Sequence, residues 1–388
     1  MSNLPKPLRI LFVTPVTPFS TASGSEQRSA LMLQALKSVA TVDVLQLQHG
    51  KKTQVEVIED KGNNSVMAQV AGADLSFRRY QPKPQLTQLV ERALQCEMGH
   101  YDLIVGRYVW PVCQLVIPPA TPVIADLDDF KYRCAKNAPL NWASLRTRME
   151  KALAAIFARR QLGRFRAVFF VSALDQRKAP HIASAVLPNV PYTSADLRVP
   201  VQSSFNVLFV GSLWYLPNVE GIDWFLKYVW PGVIRQVPSA TLSLVGAASS
   251  RTRERWQAHP GVFAPGFVDD LGQAYANAAL VAVPVLCGGG SNIKVLEALA
   301  HKRPCLVTRF CYEAFENDLV AGSDLLVASD ANDFVRIMVE SLRNPDKVAA
   351  LATQGHATVT AAFTIAAFQA TVVSMVAMTF SMKSKAHS

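Results

Sequence analysis

The residues best suited to chemistry lie in one glycine-rich segment in the second half of the chain, 287–298, which reads CGGGSNIKVLEA. The segment follows an apolar, strand-like run and opens a helical pattern. Its three glycines, Gly288, Gly289 and Gly290, let the backbone approach a ligand closely. The following helix presents free N–H groups and a positive dipole end, and Lys294 adds a full charge on its first turn. The sequence therefore predicts a phosphate-binding site here.

Three neighbouring residues extend this candidate site. Ser291 can cap the helix, and Asn292 follows it. Glu297 lies three residues after Lys294, on the same helix face and one turn deeper, where a carboxylate suits two vicinal hydroxyls such as those of a ribose. The alternative interpretation is an ordinary glycine-rich turn with a solvated lysine and glutamate. The spacing matches neither a Walker loop nor the dinucleotide fingerprint.

Two further loops at strand-to-helix junctions share this character. Gly211 and Ser212 follow a strand-like run in the second half, and the segment Ser23-Gly24-Ser25 follows one in the first half. Each loop can present backbone N–H groups to an anion, although each alone is more often an ordinary turn. Three such loops in one chain suit a diphosphate held between two halves.

These residues need a scaffold in which strands, loops and helices alternate, and the sequence supplies that pattern twice. A polar, proline-containing stretch near 188–204 predicts a linker between the two series. The pattern predicts an α/β chain with two doubly wound parallel sheets and a ligand site in the cleft between them. We expect domains at 1–190 and 195–360, followed by a C-terminal helix and tail at 361–388. Strand-like apolar runs occur at 9–14, 42–47, 102–105, 122–126, 167–171, 206–210, 241–245, 280–285 and 305–307.

Composition excludes several classes of protein. Half of the 388 residues are hydrophobic and 18% are charged, so the chain is not disordered. It opens with no secretory signal pattern, and its six cysteines lack metal-ligand spacing, which indicates reduced thiols in a cytoplasmic protein. The uncharged stretch 361–382 is long enough to span a bilayer, but its alanine, threonine and serine content favours a packing helix over a membrane span.

The order of these motifs resembles that of the GT-B glycosyltransferases of retaining family 4. The similarity covers nearly the whole chain and implies two Rossmann-like domains facing a cleft. The first domain is implied to handle the acceptor, the second to bind a nucleotide sugar, and the C-terminal helix to pack back on the first domain. The segments that carry it are 12–24, FVS…LPNV at 170–190, FVGS…PNVEG at 209–221, PGFV at 265–268, and 279–304.

The resemblance assigns roles to individual residues. Glu297 is implied to hold the ribose hydroxyls, Phe267 and Val268 to lie near the nucleobase, and 288–292 to surround the diphosphate and sugar together with Lys294. Gly24 and Gly211 belong to the same donor-binding set. As the anomeric C–O bond breaks, charge gathers on the β-phosphate, and we expect Lys294, Ser212 and the loop amides to stabilise it. No metal or other cofactor is then required.

The sequence departs from the family pattern at three places, one of them the hinge, which reads Asn189-Val190 where the family has Asn-Gly. The first glutamate of the usual E-x7-E motif is replaced by Gly289, as in a subgroup with a GGGS/T-x-x-K loop. The basic residue that usually follows the Gly211 loop is replaced by Trp214-Tyr215, which leaves Lys294 as the main cation. These losses keep two alternatives open: a nucleotide-sugar-binding protein without catalysis, and a nucleotide-sugar epimerase of the same architecture.

The sequence DLDD at 126–129 contains a D-x-D pattern, which can indicate Mg²⁺. At a strand end in this fold we favour a structural or cleft-lining role for these aspartates. Asp128 is our candidate for contact with the acceptor hydroxyl.

The formal net charge of +10 is concentrated in the window 131–178, which holds twelve basic and two acidic residues. Within it, 141–163 reads as a helix with an apolar stripe formed by Leu145, Met149, Ala152, Leu153 and Ile156. Such a helix can lie on an anionic membrane surface, or it can pack on a core with a solvated basic face. Nucleic acid is the weaker interpretation, because no recognition motif accompanies the charge. We expect contact with the acceptor or the inner face of the membrane through Arg159, Arg160, Arg164 and Arg166.

Overall fold

The computed structural model describes most of the chain, and it forms two compact units, each with its own sheet and core. Unit 1 contains 1–131, 146–189 and 365–388, and unit 2 contains 132–145 and 190–364. The residues described are 8–20, 23–50, 54–60, 65–128, 133–135, 138, 142–179, 182–191, 205–290 and 292–385.

The strands are short and mostly buried. They are β1 Arg9–Thr14, β2 Thr41–His49, β3 Gln54–Asp60, β4 Ser65–Ala73, β5 Leu103–Arg107, β6 Val123–Leu127, β7 Arg133–Cys134, β8 Ala167–Phe170, β9 Ser184–Val186, β10 Asn206–Val210, β11 Thr241–Val245, β12 Val262–Gly266, β13 Leu280–Val283, β14 Cys287–Gly288, β15 Cys305–Thr308 and β16 Leu326–Ala328.

The helices alternate with the strands in both units. They are α1 Gly24–Lys37, α2 Pro84–Leu94, α3 Val109–Cys113, α4 Trp142–Gln161, α5 Ala173–Gln176, α6 Leu216–Tyr228, α7 Trp230–Gln236, α8 Ser250–Gln257, α9 Leu271–Ala276, α10 Ile293–Ala300, α11 Arg309–Tyr312, α12 Ala331–Arg343, α13 Pro345–Ala362 and α14 Ile365–Lys385.

The sheet of unit 1 has the strand order β3-β4-β2-β1-β5-β6-β8-β9. Every pairing is parallel except that of β3 with β4, which form an antiparallel edge that the sequence analysis missed. Residues 10–13 of β1 are fully buried, which fits an uninterrupted apolar run covered on both faces. The chain order reverses beside β1, so the carboxyl ends of β1 and β5 mark the switch point where such sheets bind ligands.

The sheet of unit 2 repeats this arrangement with the order β12-β11-β10-β13-β15-β16, and all its pairings are parallel. Its two faces are covered by separate apolar clusters, one built around Trp230 and Phe334 and the other around Leu299 and Phe315. The switch point lies at the carboxyl ends of β10 and β13. The expected α/β class with doubly wound sheets is confirmed.

Two segments lie in a different unit from their neighbours in the chain. The described part of 132–145 belongs to unit 2, where β7 pairs antiparallel with β14. Helix α14 belongs to unit 1 and packs along α1, as the expected C-terminal helix should. By length and composition alone, Pro345–Ser381 could cross a membrane. It is divided into α13 and α14, and α14 buries Phe368, Val372 and Met375 on one face.

Candidate functional site

The glycine-rich segment lies at the switch point of unit 2. Strand β10 ends at Val210, and Gly211 follows with its N–H donated to the Val245 carbonyl at 3.0 Å. A side chain at Gly211 would meet the Cε of Lys294 at 3.1 Å and the Nδ2 of Asn218 at 3.1 Å. The loop after β10 and the helix after β13 are therefore close together, and a side chain at Gly211 would make Lys294 or Asn218 shift.

Lys294 is the cation of this site. It lies on the first turn of α10 and retains only 9% exposure. Its Nζ donates to Asn292 Oδ1 at 3.3 Å and lies 5.7 Å from the centre of the Phe209 ring. Burial lowers the pKa of Lys294, although Cys311 and Glu297 act in the opposite direction. A partly desolvated ammonium group attracts an anionic ligand more strongly than a hydrated one, because the local dielectric is low.

The loop before α10 adopts backbone conformations that favour glycine. Gly288 has φ +137° and Gly290 has φ +73°, and both are in the range that side chains disfavour. The N-cap of α10 is Asn292, with φ 44° and no capping hydrogen bond from its own side chain, and the capping role of Ser291 stays a prediction. Ser291 itself lies outside the described residues. An N-terminus without a side-chain cap leaves its backbone N–H groups available to an anion.

Glu297 lies one turn further along α10 and is half-buried. Burial raises its pKa to about 7, with partial compensation from Lys294 and the Tyr275 hydroxyl. Tyr275 is buried and stacks on His301 with ring centres 4.4 Å apart. Burial also lowers the pKa of His301 to about 4. Glu297 is therefore the group of this cluster that titrates near neutral pH.

The remaining residues predicted for the donor site lie at the edges of the same unit. Phe267 is 66% exposed, whereas Val268 packs partly against the cluster that contains Leu299. The Ser212 carbonyl accepts a hydrogen bond from Asn218 Nδ2 at 2.9 Å. The proposed role of the Ser212 hydroxyl stays a prediction.

A short strand supports the glycine loop, and the sequence analysis missed it. In the pairing of β7 with β14, Cys134 lies opposite Cys287 and Arg133 opposite Gly288. The Ala135 N–H donates to the Leu286 carbonyl at 2.7 Å. Ala135 and Leu286 are therefore a hydrogen-bonded pair of the ladder, and the next pair, Cys134 and Cys287, is of the non-hydrogen-bonded type. In that type the two Cα atoms lie closer together than in a hydrogen-bonded pair.

Arg133 fixes the other end of this strand. Its guanidinium forms an ion pair with Glu313 at 2.6 Å and lies over the Phe310 ring at 5.0 Å. The start of the glycine-rich loop is therefore held by a segment that is distant in sequence.

In unit 1, Arg28 and Asp126 form a buried ion pair, which the sequence analysis also missed. Arg28 projects from α1 and is 2% exposed, and its Nη2 lies 2.6 Å from Asp126 Oδ1. Its Nη1 donates to the Leu187 carbonyl and to Asn189 Oδ1, each at 2.9 Å. The guanidinium also lies over the Phe368 ring of α14. Arg28 thus contacts four parts of unit 1: its own helix α1, strand β6, the segment 187–189 and the C-terminal helix α14.

Asp128 lies beside this pair at the end of β6. Its carboxylate is 3.0 Å from Arg107 Nη2 and accepts from Asn189 Nδ2 at 3.3 Å. Burial alone would raise the pKa of Asp128, but Arg107 and Arg28 outweigh burial and lower it. Asp128 is therefore ionised at neutral pH and can accept a hydrogen bond from a hydroxyl.

Tyr108 and the loop at Gly24 complete this cluster. Tyr108 has φ 63° and ψ 164°, a strained combination for a residue with a side chain, and such strain concentrates at functional positions. The Tyr108 hydroxyl is 3.2 Å from that of Ser25 and also accepts from Arg107 at 3.2 Å. Gly24 is the first residue of α1, and Ser23 caps the helix through the Glu26 N–H.

The two described aspartates of the D-x-D pattern, Asp126 and Asp128, thus form ion pairs with arginines. Both oxygens of Asp126 accept hydrogen bonds from Arg28, and one lies 3.5 Å from Arg107. Asp129 lies outside the described residues. Within the part of the chain that is described, no group of three His, Cys, Asp or Glu side chains could hold a metal ion.

The four basic residues predicted to face the acceptor or membrane are exposed. Arg159 and Arg160 end α4, and Arg164 and Arg166 follow it.

Comparison with known proteins agrees with this geometry. Residues 204–344 match the family model described as glycosyl transferases group 1. An uncharacterized 44.6 kDa protein in the cps region of Klebsiella pneumoniae is 25% identical over 147 residues, which are 36% of this chain and 37% of that protein. The matched region therefore spans just over a third of that relative.

Solved structures match over nearly the whole chain. Sucrose-phosphate synthase from Thermosynechococcus elongatus is 15% identical with a TM-score of 0.69, covering 97% of this chain and 100% of its own. HepE from Anabaena, in complex with UDP and glucose, is 15% identical with a TM-score of 0.63, covering 96% and 100%. At such identities the likeness shows the fold. The chain thus has the GT-B fold of these structures, and its residues 204–344 match the sequence pattern of the group 1 glycosyl transferases.

Proposed function

We propose that this protein transfers a sugar from a nucleotide-sugar donor to a hydroxyl acceptor, with retention of anomeric configuration and without a metal ion. The observation that carries the proposal is the buried Lys294 beside Gly211 and the glycine loop, at the switch point of a Rossmann-like sheet. The Anabaena protein of the same fold was solved with UDP and glucose, which supports a uridine diphosphate donor as the first to test.

Donor binding follows from the charges and shape of this site. The diphosphate would meet the Lys294 ammonium and the N–H groups at the start of α10. The ribose hydroxyls would donate to the Glu297 carboxylate. The nucleobase would lie along Phe267 and Val268, where an exposed aromatic ring is available for stacking.

Catalysis would consist mainly of stabilising the leaving group. Cleavage of the anomeric C–O bond leaves negative charge on the β-phosphate and positive charge on the sugar ring. Lys294 and the amides of Gly289 and Gly290 oppose the first charge in a partly desolvated site, where fixed donors act strongly. The arginine pairing of Asp126 supports a mechanism in which the D-x-D residues do not carry a metal.

Asp128 is proposed to orient the acceptor hydroxyl. Since Arg107 and Arg28 lower the pKa of this carboxyl group, it is a good hydrogen-bond acceptor but a weak base. Its role is therefore orientation of the incoming oxygen, and the hydroxyl proton passes to the departing β-phosphate oxygen as the glycosidic bond forms.

The second candidate function is nucleotide-sugar binding without catalysis, which Gly289 favours because it stands where the family carries an acid. A thermal-shift panel of UDP-, GDP- and dTDP-sugars tests the shared part of both functions, and failure of every donor to stabilise the protein would refute both. Product analysis with added acceptors and EDTA then separates them. Transfer with retention in EDTA supports our proposal, stabilisation without any turnover supports the binding protein, and turnover without acceptor supports an epimerase.

A further inference from the structure

Helix α4 turns its bulky apolar residues away from the fold. Met149, Leu153 and Ile156 are spaced four and three residues apart, so they form one stripe. Their exposures are 60%, 42% and 51%, whereas Ala158 on the opposite side of the helix is only 9% exposed. In an ordinary surface helix the large apolar residues face the core. In α4, Phe157 packs on the core, but Met149, Leu153 and Ile156 face outward.

The inner side of α4 is already packed. Phe157 stacks on Tyr80 with ring centres 6.1 Å apart, and the Tyr80 hydroxyl donates to the Ala154 carbonyl at 3.2 Å. The small residues Ala154 and Ala158 allow the helix to lie close to the fold. The outward stripe therefore serves a surface role, as contiguous exposed apolar patches usually do.

Positive charge flanks the stripe. Arg159 and Arg160 lie in the last turn of α4, and Arg164 and Arg166 follow within five residues of its end. All four side chains are exposed. The surrounding window 131–178 holds twelve basic residues and two acidic ones. An apolar stripe with arginines beside it is the signature of a helix that lies in a lipid–water interface. Phosphates of a nucleic acid would match the arginines but leave the stripe without a partner.

We propose that α4 docks on a bilayer that contains anionic lipids, on the cytoplasmic leaflet. Met149, Leu153 and Ile156 enter the boundary between headgroups and acyl chains, and the four arginines contact lipid phosphates. This places unit 1, the half proposed to handle the acceptor, at the membrane surface. The inference rests on the exposure and charge of α4, so it does not depend on the donor site in unit 2.

Co-sedimentation of the full-length protein with vesicles tests the proposal. The wild type should bind vesicles of phosphatidylcholine with phosphatidylglycerol and not vesicles of phosphatidylcholine alone. A stripe variant (M149S/L153S/I156S) and a charge variant (R159Q/R160Q/R164Q/R166Q) should each lower the partition coefficient at least about tenfold, since both apolar burial and surface charge contribute to interfacial binding.

Two matched controls separate this site from general surface properties. Val55 and Val57 are exposed apolar residues of β3, 40% and 42% exposed, and V55S/V57S should leave binding unchanged. A control that neutralises four exposed basic residues elsewhere, K37Q/R92Q/R235Q/R251Q, should reduce binding far less than the α4 charge variant.

Several results would overturn the proposal. Wild-type protein that stays in the supernatant with anionic vesicles would do so, as would a stripe variant that binds as well as the wild type. An equal loss in the charge control would show non-specific attraction. Tight binding of an RNA oligonucleotide that depends on the arginines but not on the stripe would assign the surface to nucleic acid. Thermal shift with UDP-glucose, run on every variant, reports folding and donor binding separately.

Discussion

We predict that binding of the proposed nucleotide-sugar donor depends on pH, because burial raises the pKa of Glu297 to about 7. If only the ionised carboxylate accepts hydrogen bonds from both ribose hydroxyls, the affinity follows its ionised fraction. That fraction rises from about 0.1 at pH 6 to about 0.9 at pH 8, so we expect the association constant of a nucleotide sugar to rise roughly tenfold over this range, or about 1.4 kcal/mol. The direction is fixed because a raised pKa leaves the proton on Glu297 below neutral pH.

Titration calorimetry with UDP-glucose between pH 6 and pH 8 measures this change. A nucleotide sugar is a better ligand than UDP for this purpose, because its phosphates are diesters and do not titrate in the range. His301 does not contribute, since burial lowers its pKa to about 4. Glu297→Gln keeps the size of the side chain and removes its titration, so its affinity should be lower at pH 8 and nearly independent of pH. A tenfold slope that persists in this variant, or its absence in the wild type, would refute the reasoning.

The remaining predictions concern the cation, the buried ion pair and the supporting strand. Lys294→Ala should lower turnover by about a hundredfold or more, as loss of one donor to a developing oxyanion does, while Lys227→Ala on the exposed end of α6 should leave initial rates unchanged; equal rates for Lys294→Ala would remove its assigned role. Arg28→Met should cost about 3–5 kcal/mol in urea unfolding, because it removes every hydrogen bond from Arg28 to the buried Asp126 carboxylate and leaves only Arg107, at 3.5 Å, beside it; a loss below about 1 kcal/mol would contradict the buried pair. Diamide should link Cys134 to Cys287, since such opposed pairs meet the distance that a disulfide requires; peptide mapping that finds no such link would contradict the pairing of β7 with β14.

Most of the scaffold could be predicted because its strands are buried on both faces. Runs such as RILFVT at β1 and NVLFV at β10 are continuous and apolar, and both were expected with the bounds that the structure has. The edge strand β3 and its neighbour β4 were not predicted, because VEVIED and SVMAQV mix polar and apolar residues and form no continuous apolar run. The glycine loop was visible because its function depends on local backbone chemistry.

The contacts missed by the sequence analysis join residues that are far apart in the chain. No residue near Arg28 in the sequence indicates that its guanidinium contacts Asp126 and Asn189. The local sequence pattern around a helical arginine is the same whether its side chain is buried or exposed. The pairing of Cys134 with Cys287 is likewise absent from any local pattern. In α4 the periodicity gave the correct stripe but not the side on which it lies, since a hydrophobic period specifies a face and not its partner.

The positive charge of this protein lies in the window 131–178 and not in the half that contains the proposed donor site. Residues 191–388 hold 15 acidic and 15 basic side chains, so the donor site does not rely on a general positive field. Instead, burial lowers the pKa of Lys294 and raises that of Glu297, because both charged groups lose hydration in the fold. A bound nucleotide sugar would favour both, through its phosphates on the lysine and its ribose hydroxyls on the glutamate. Donor binding should therefore release a proton from Glu297 near pH 7, and calorimetry in two buffers of different ionisation enthalpy would detect it.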